Sequence, residues 1–480
     1  MSVRSAVAVG LTFVLIGFVA AIPRRDVLAR GAVAVANRPD IIFVEAPIVS
    51  TSSLTQRFPQ GSHLARLQSS SKSGSADNLT PEFFAAADPA VAFDGSKVLF
   101  SGQKVSGELW QVWEMNPDGS EKAQITNCTE DCLRAAFLPA GEIVYTVAST
   151  KQGRAHSSLA VAKNDGSQAH RITFGPGDFQ LELVLRDGRI LASAPWPLVA
   201  GGEVASSRLF YTLRPDGTGL ESFRCDHQTP AMRSDAEELD DGALVFVRST
   251  GADATAGGNL AQIERGSAHD TLLGPHGIVF SSLRQLTPGK LIVARWVPAL
   301  QAAPGKFDLY SFDLNSGAYG ERVYAVPGMS SIQPVPVVTR IAPRIFWSTL
   351  KPAEKSGYFI CLDANASADD PKGRFSTSVA RVRVMALDAG NGSESTLGEA
   401  PVEKDGSFYV AVPADRPVRF DLLDTNGQMV HAEKSWIWAR PGEEHGCPGC
   451  HADKALVPEN RWPMTLRRFD SPTQVGTREK

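Results

Sequence analysis

The sequence predicts an all-β protein, in which a β-propeller of six or seven blades precedes a small β-sandwich-like domain. The phrase Asp-Gly-Ser…Ile-Thr begins at Asp118 and again at Asp165, which is a period of 47 residues. Short β-rich runs joined by Asp-Gly or Pro-Gly turns fill each period. Near residue 335 the repeat stops, and runs that alternate apolar and polar residues follow. Periods of about 40 to 50 residues with about four strands each are typical of propeller blades.

Six repeat units account for residues 37–335, the predicted propeller. Glycine permits the positive φ that the tight turns of these units require. A single unit cannot bury both faces of its sheet, so we expect the units to close into a six-bladed ring. The units are marked by Ile41, by Asp-Gly turns at Asp94, Asp187 and Asp241, by Ala140-Gly and by Pro288-Gly.

The rest of the chain divides into four segments. Residues 1–36 are expected to be a signal peptide and a flexible start. Residues 336–378 are rich in proline and are expected to form an extended linker, because proline cannot donate to a sheet ladder. Residues 379–470 form the predicted second, β-rich domain, and residues 471–480 form a polar tail.

The N-terminus predicts export. Arg4 precedes an uncharged apolar stretch over residues 5–22, with small residues Val19 and Ala21 placed for signal peptidase. An uncleaved membrane anchor is the alternative, although Arg24 would then lie on the translocated side. No other apolar run approaches membrane length, so we expect a periplasmic or otherwise exported protein without a stable membrane span after cleavage.

The net charge and the cysteine content indicate which partners and which cysteine pairing to expect. The formal net charge is −4, with no run of lysines or arginines, so nucleic acid is not an expected partner. Six cysteines are present. Cys128 and Cys132 are close enough in sequence for a local disulfide, with free thiols and a metal site as alternatives.

One motif carries chemistry: His445-Gly-Cys447-Pro-Gly-Cys450-His451. Two thiols separated by two residues match the two vinyl groups of heme, and the adjoining imidazole can reach the iron. The motif therefore predicts heme c bound through Cys447 and Cys450, with His451 as the proximal ligand. A zinc site that uses His445 or His451, and a redox dithiol, are the alternatives.

The second axial position of such a heme has several candidates. His431 and Met429 lie in the strand region that precedes the motif, and Met464 follows it. A methionine would raise the reduction potential and suit an electron carrier, whereas an open position would suit catalysis. Trp436 and Trp438, ahead of the motif, are expected either to pack over the porphyrin or to belong to the core.

A longer pattern surrounds the motif. It comprises residues 403–417, 423–427, 435–443 and 447–451. Its most specific part is Trp436-x-x-x-Arg440-Pro-Gly-Glu443. In this pattern the chain resembles the heme-bearing middle domain of the hydrazine synthase alpha subunit family, and its propeller resembles that family's N-terminal domain and TolB-type propellers. The resemblance implies covalent heme in the second domain.

The sequence departs from this family in two ways. The family enzymes carry a third domain with another heme, and we expect the present sequence to lack it. In the family a tyrosine one turn beyond the motif histidine binds the iron and leaves that histidine for zinc, but Ala455 stands at that place here. The resemblance therefore implies heme attachment and architecture rather than hydrazine formation, and His451 keeps its role as proximal ligand.

Two functions are compatible with these features. The first is an exported mono-heme, c-type cytochrome-like protein that transfers electrons or forms a component of an oxidoreductase, with the propeller as docking platform for a redox partner protein. The alternative is a propeller-based periplasmic binding protein with an accessory heme or zinc site. The sequence names no substrate and no catalytic residue.

Overall fold

A computed structural model describes most of the chain outside the N-terminal segment. The described residues are 38–47, 58–71, 74–151, 154–198, 207–223, 231–250, 257–264, 267, 269–275, 277–298, 305–367, 372–388, 392–449 and 461–476. The predicted signal peptide, Cys450 and His451 lie outside these ranges. Inside them, no helix is both long and apolar enough to cross a membrane.

Within the described residues, twenty-four short strands build the first domain. In chain order they are β1 (Ile41–Ala46), β2 (His63–Leu67), β3 (Asp77–Asn78), β4 (Ala85–Val91), β5 (Val98–Gln103), β6 (Gln111–Met115), β7 (Ala123–Gln124), β8 (Asp131–Leu138), β9 (Glu142–Lys151), β10 (Arg154–Lys163), β11 (His170–Arg171), β12 (Gln180–Val184), β13 (Ile190–Pro195), β14 (Arg208–Leu213), β15 (Glu221–Ser222), β16 (Met232–Glu238), β17 (Leu244–Ser249), β18 (Asn259–Ile263), β19 (Thr271–Leu273), β20 (Phe280–Thr287), β21 (Lys290–Val297), β22 (Lys306–Asp313), β23 (Ala318–Tyr324) and β24 (Ser330–Pro336).

These strands form six four-stranded antiparallel sheets within the described residues, which are the six blades. Blades 2 to 6 use consecutive strands, from β4–β7 to β20–β23, whereas blade 1 has the order β24-β1-β2-β3. The last strand thus pairs with the first, with Ala46 opposite Ser330 and Ile42 opposite Val335. This pairing joins the two ends of the propeller and closes the ring. The predicted six-bladed fold is confirmed.

The Asp-Gly-Ser phrases form the outer turns of blades 2 and 3. Asp118 Oδ1 accepts hydrogen bonds from the backbone N of Ser120 at 2.9 Å and from its hydroxyl at 2.6 Å. Gly119 adopts a φ of +84° between them. These hydrogen bonds lower the pKa of Asp118. The repeat therefore reflects turn chemistry, as the sequence predicts.

The predicted disulfide between Cys128 and Cys132 is present, with the two Cα atoms 6.3 Å apart. Cys132 is fully buried at the start of β8, and its main-chain N donates to the carbonyl of Trp110 at 2.8 Å. The bridge therefore fixes the loop that leads from blade 2 into the innermost strand of blade 3.

In the part of the chain that the structure describes, the second domain is a β-sandwich with one short helix. Its elements are β25 (Ser356–Cys361), β26 (Arg381–Leu387), β27 (Glu394–Pro401), β28 (Phe408–Pro413), β29 (Val418–Leu423), β30 (Met429–Ala432), β31 (Glu444–Cys447), the 3₁₀ helix η1 (Met464–Arg467) and β32 (Thr473–Gln474). The two sheets have the orders β31-β25-β28-β32 and β27-β26-β29-β30. Phe359 of the first sheet and Phe420 of the second meet in the core, with ring centroids 5.2 Å apart.

The segment expected as a linker differs from the prediction in one part. Residues 337–350 have no regular secondary structure and lie on the propeller, where the backbone N of Arg340 donates to the carbonyl of Phe93 at 2.7 Å. Residues 356–361, by contrast, form strand β25, whose side chains alternate between buried and half-buried. The run is short and follows several prolines, so its sequence did not distinguish it from the linker.

Candidate functional site

Cys447, the first cysteine of the motif, ends the edge strand β31 of the sandwich. This strand pairs in parallel with β25, which places Cys447 opposite Cys361 and His445 opposite Phe359. Beyond the strand, the backbone N of Leu362 donates to the carbonyl of Cys447 at 2.9 Å. Cys361 and Cys447 are the free cysteines of the described residues. The thiol at the start of the motif is therefore available, and its backbone is held by the sheet.

Both thiols are buried, and the carboxylates of Glu433 and Asp363 are the charged groups that act on them. Burial, with a smaller contribution from the charge of Glu433, raises the pKa of Cys447 to about 12. Burial also raises the pKa of Cys361 well above its ordinary value. Cys447 packs against the sandwich core together with Phe375 and Val430. Because Glu433 directly follows β30, the end of that strand lies close to Cys447.

The chain returns to the same end of the sandwich after the motif. The backbone N of Ala364, next to the Cys361 end of β25, donates to the carbonyl of Gly406 at 2.7 Å. The adjacent Asp405 accepts a hydrogen bond from the backbone N of Met464 at 2.9 Å, and Arg461 donates to the carbonyl of Asp405 at 2.6 Å. Residues 450–460 are outside the described ranges, but the residues on both sides of them are attached to one end of the domain.

The candidates for the second axial position occupy different places around this end. His431 lies on β30 opposite Leu422, with its ring centroid 5.1 Å from that of Phe375. Met429, on the same strand, is exposed. Met464 begins η1, at the turn that precedes β28. All three therefore belong to the domain that carries the motif, and their role as ligands stays a prediction.

His445, just ahead of the motif, faces the sandwich interior. Its ring centroid lies 5.3 Å from that of Phe359, and its Nδ1 is 4.0 Å from Oε1 of Glu443. The described residues contain no group of three or more histidine, cysteine, aspartate or glutamate side chains that could hold a metal ion. A zinc site would therefore need Cys450 or His451, which lie outside those residues.

Trp436 and Trp438 are core residues, and the core to which Trp438 belongs is part of the propeller. Trp438 is 1% exposed and packs edge-to-face on Phe174 and Phe179, with ring centroids 6.3 Å and 5.5 Å away. The backbone N of Trp436 donates to the carbonyl of Leu198 at 2.9 Å. The core interpretation is thus confirmed, and these residues join the two domains.

Arg440 and Glu443, the other members of the Trp-x-x-x-Arg-Pro-Gly-Glu pattern, extend this junction. Arg440 Nη1 donates to the carbonyl of Asp216 at 2.6 Å, in the last turn of blade 4. Glu443 accepts from the backbone N of Gly219 at 2.7 Å and from the backbone N of Arg440 at 2.7 Å. In the same turn, Gly217 has a φ of +82°, and a Cβ there would lie 2.5 Å from the carbonyl oxygen of Ile172. The sequence identified this pattern as specific but gave no sign of its structural role.

Comparison with known proteins agrees with this architecture. Residues 366–452 match the family described as the hydrazine synthase alpha subunit middle domain. The hydrazine synthase subunit alpha of Kuenenia stuttgartiensis is 23% identical over 539 aligned residues, which cover 86% of this chain and 65% of the relative. The chain therefore spans just under two thirds of the length of that curated relative.

Two solved structures align with this chain. The hydrazine synthase of Kuenenia stuttgartiensis superposes with a TM-score of 0.78 at 19% identity, and the match covers 90% of this chain and 72% of that chain. A TolB from Acinetobacter baumannii aligns over 64% of this chain and 67% of its own, with 13% identity and a TM-score of 0.42. The first match, at its low identity, supports the fold of both domains together.

Fold and site together define a six-bladed propeller protein with a β-sandwich that bears a Cys-x-x-Cys-His motif. The resemblance read from residues 403–451 is confirmed by the family match and by the relative. The chain is therefore similar to the hydrazine synthase alpha subunit, in its second domain by the family match and over both domains by fold.

Proposed function

We propose that this protein is an exported, mono-heme, c-type cytochrome-like protein that acts in electron transfer or as a component of an oxidoreductase. Heme c is attached through the sulfurs of Cys447 and Cys450, and His451 is the proximal iron ligand. The observation that carries the proposal is the free thiol of Cys447 at the end of β31, in the domain that matches the family.

The residues present fit such a group. The thiol of Cys447 takes part in no disulfide, whereas Cys128 and Cys132 bind each other and do not compete. Cys447 itself packs against the apolar core of the sandwich. Two thiols and a neutral imidazole in the order Cys-x-x-Cys-His are the donor set that c-type heme requires.

When bound, a c-type heme supplies reversible one-electron transfer at its iron. The protein's own residues fix the position of the motif and set the charge around it. The parallel pairing of β31 with β25 fixes the backbone of Cys447, and the hydrogen bonds of Arg461 and Met464 to Asp405 hold the chain on the far side of the motif. The carboxylate of Glu433 near Cys447 favours a positive charge at this end of the domain.

The remaining parts of the proposal concern the second axial ligand, the partner and the compartment. His431, Met429 and Met464 are the candidates for the second axial position. A redox partner protein docks on the propeller, which the Trp438 junction holds in a fixed relation to the sandwich. The protein acts in the periplasm or another exported compartment, where c-type heme attachment takes place.

The test begins with the full chain matured by a c-type heme attachment system. The wild-type protein should retain heme through denaturing electrophoresis, and the double variant Cys447→Ala/Cys450→Ala should lose it. Cys361→Ala is the matched control, since it removes a neighbouring thiol that is not part of the motif and should keep the heme. Color in the double variant, or loss of heme in the control alone, would refute the attachment site.

Difference spectra then separate electron transfer from catalysis. Reduced protein whose spectrum is unchanged by carbon monoxide has two tight axial ligands, which supports an electron carrier. A shifted band shows an accessible iron and supports a component of an oxidoreductase. If the wild-type spectrum is unchanged by carbon monoxide, His431→Ala and Met464→Ala identify the second axial ligand. The variant that removes this ligand should show a shifted band with carbon monoxide, and the other variant should not.

A binding function for the propeller is the second candidate, and one observation favours it. The described part of the propeller encloses a cavity of about 620 Å³ along its central channel. A colorless, zinc-containing protein after proper maturation would leave this candidate as the better account.

A further inference from the structure

The centre of the propeller carries polar side chains in place of a purely apolar lining. The innermost strands of four blades bulge at Asp88, Arg134, Asp235 and Gln333, and each of these residues has a φ between +50° and +54°. All four line the central cavity. Non-glycine residues seldom adopt this conformation, and such bulges re-aim side chains. The ring of innermost strands therefore presents charged and amide groups to the channel.

The guanidinium of Arg134 forms ion pairs with two carboxylates in this channel. Arg134 Nη2 lies 3.3 Å from Oε2 of Glu182 and 3.8 Å from Oδ1 of Asp235. The side chain of Glu182 is fully buried, and that of Arg134 is 9% exposed. Although burial alone would lower the pKa of Arg134, the surrounding carboxylates raise it. Arg208, a second buried arginine, also interacts electrostatically with Glu182.

Glu182 retains an unused acceptor at this place. Its Oε1 is buried and accepts no hydrogen bond from any of the described residues. A carboxylate oxygen without a donor is costly inside a protein, because its hydration is lost and nothing replaces it. The ion pair with Arg134 satisfies Oε2 of Glu182. Oε1 has no hydrogen-bond donor among the described residues, so a ligand could supply one.

The charges around the cavity favour a cation as that donor. Six carboxylates and four guanidiniums line it, which leaves an excess of two negative charges. The carboxylates are those of Asp88, Glu182, Asp235, Glu237, Glu238 and Asp240, and the guanidiniums are those of Arg134, Arg186, Arg284 and Arg340. Asp88 is already held by Gln333 Nε2 at 2.7 Å and by the hydroxyl of Ser101 at 2.9 Å. Glu182 and Asp235 are therefore the groups with the most remaining acceptor capacity.

The geometry disfavours a metal ion and a large ligand. Within the described ranges, no three histidine, cysteine, aspartate or glutamate side chains are placed to hold a metal ion together. This finding applies to the carboxylates of the channel as well. Residues 338–343 of the linker also line the cavity, and Arg340 Nη2 donates to the carbonyl of Val91 at 2.7 Å. One mouth of the channel is therefore bordered by the linker, which favours a small ligand.

We infer that the propeller channel is a binding site for a small protonated amine, whose N–H groups donate to Oε1 of Glu182 and to the carboxylate of Asp235. An ammonium group has three donors and no acceptor, which suits a site with surplus carboxylate oxygens. This site is separate from the proposed heme and does not depend on it.

Isothermal titration calorimetry of the full chain with methylammonium chloride at low ionic strength tests the site. Wild-type protein should give saturable binding, and potassium chloride at equal ionic strength should give none. Glu182→Gln should weaken the affinity about tenfold, which corresponds to about 1.4 kcal/mol. Glu121→Gln makes the same change of charge at an exposed carboxylate of blade 2 and should leave the affinity unchanged.

A second variant protects the test against misfolding. Asp235→Asn should also weaken the affinity, and asparagine tolerates the positive φ at this position. Circular dichroism melting identifies which variants are folded. The proposal is overturned by the absence of saturable binding to the wild-type protein, or by folded Glu182→Gln and Asp235→Asn variants that bind as tightly as Glu121→Gln. Calcium chloride that displaces methylammonium with higher affinity would also overturn it, in favour of a metal site.

Discussion

The indole of Trp438 packs edge-to-face on Phe179, with ring centroids 5.5 Å apart and 84° between the ring planes. Trp438 belongs to the second domain, and Phe179 precedes the innermost strand of propeller blade 4. Gly175 leaves room for this contact, because a Cβ there would lie 2.9 Å from the indole. Strand β31, which leads into the Cys-x-x-Cys-His motif, begins six residues after Trp438, so this contact sets the position of the motif relative to the propeller.

Trp438→Ala should uncouple the two domains. The substitution removes a fully buried indole, so we expect a loss of about 3–5 kcal/mol in the free energy of unfolding. Differential scanning calorimetry should show the sandwich unfolding separately from the propeller. Trp347→Ala is the control, because this side chain is 85% exposed, and its effect should stay within about 0.5 kcal/mol. A single, unshifted transition in Trp438→Ala would contradict the role assigned to the junction.

His63 should make the stability of blade 1 depend on pH. Burial alone would lower its pKa, but the hydrogen bond to Glu45, which also accepts from Tyr324 at 2.7 Å, raises it above 6.5. The folded protein therefore binds the proton more tightly than the unfolded chain. The stabilisation is complete below pH 6.5 and is lost as the pH rises through the elevated pKa.

Urea unfolding between pH 5 and 9 measures this effect. His63→Gln should flatten the decline of stability above pH 6.5, whereas His170→Gln, at an exposed site, should leave it unchanged. Equal pH profiles for the wild-type protein and His63→Gln would show that the His63–Glu45 pair does not contribute.

The disulfide between Cys128 and Cys132 should stabilise the propeller modestly. It closes a loop with a sequence separation of only 4, for which chain entropy predicts a contribution of about 2 kcal/mol. Cys128→Ala in a non-reducing urea titration should show this loss. Treatment of the wild-type protein with a reductant should reproduce it, and an unaffected midpoint after complete reduction would contradict the assignment.

The blades were predictable because their turns have a local chemistry. Asp118 and Asp165 each accept a hydrogen bond from the backbone two residues later, with a glycine of positive φ between, so the sequence records the turn directly. Ring closure and the number of blades follow from counting these units. The motif was predictable for the same reason, because its two cysteines are separated by only two residues.

The domain junction could not be predicted in the same way. Trp438 and Phe179 lie far apart in the chain, and nothing local to either residue specifies the other. The local sequence around a buried tryptophan on a strand does not show whether the side chain packs on a porphyrin, on its own sheet or on another domain. The unused oxygen of Glu182 is also a long-range feature, because it depends on Arg134 and Asp235 from other blades.

Mass spectrometry of peptides from the matured full chain tests covalent heme attachment at the motif. The peptide containing Cys447, Cys450 and His451 should carry the mass of one covalently bound heme, and the peptide containing Cys361 should be unmodified. An unmodified motif peptide from protein matured in this way, together with zinc in the intact protein, would contradict the account.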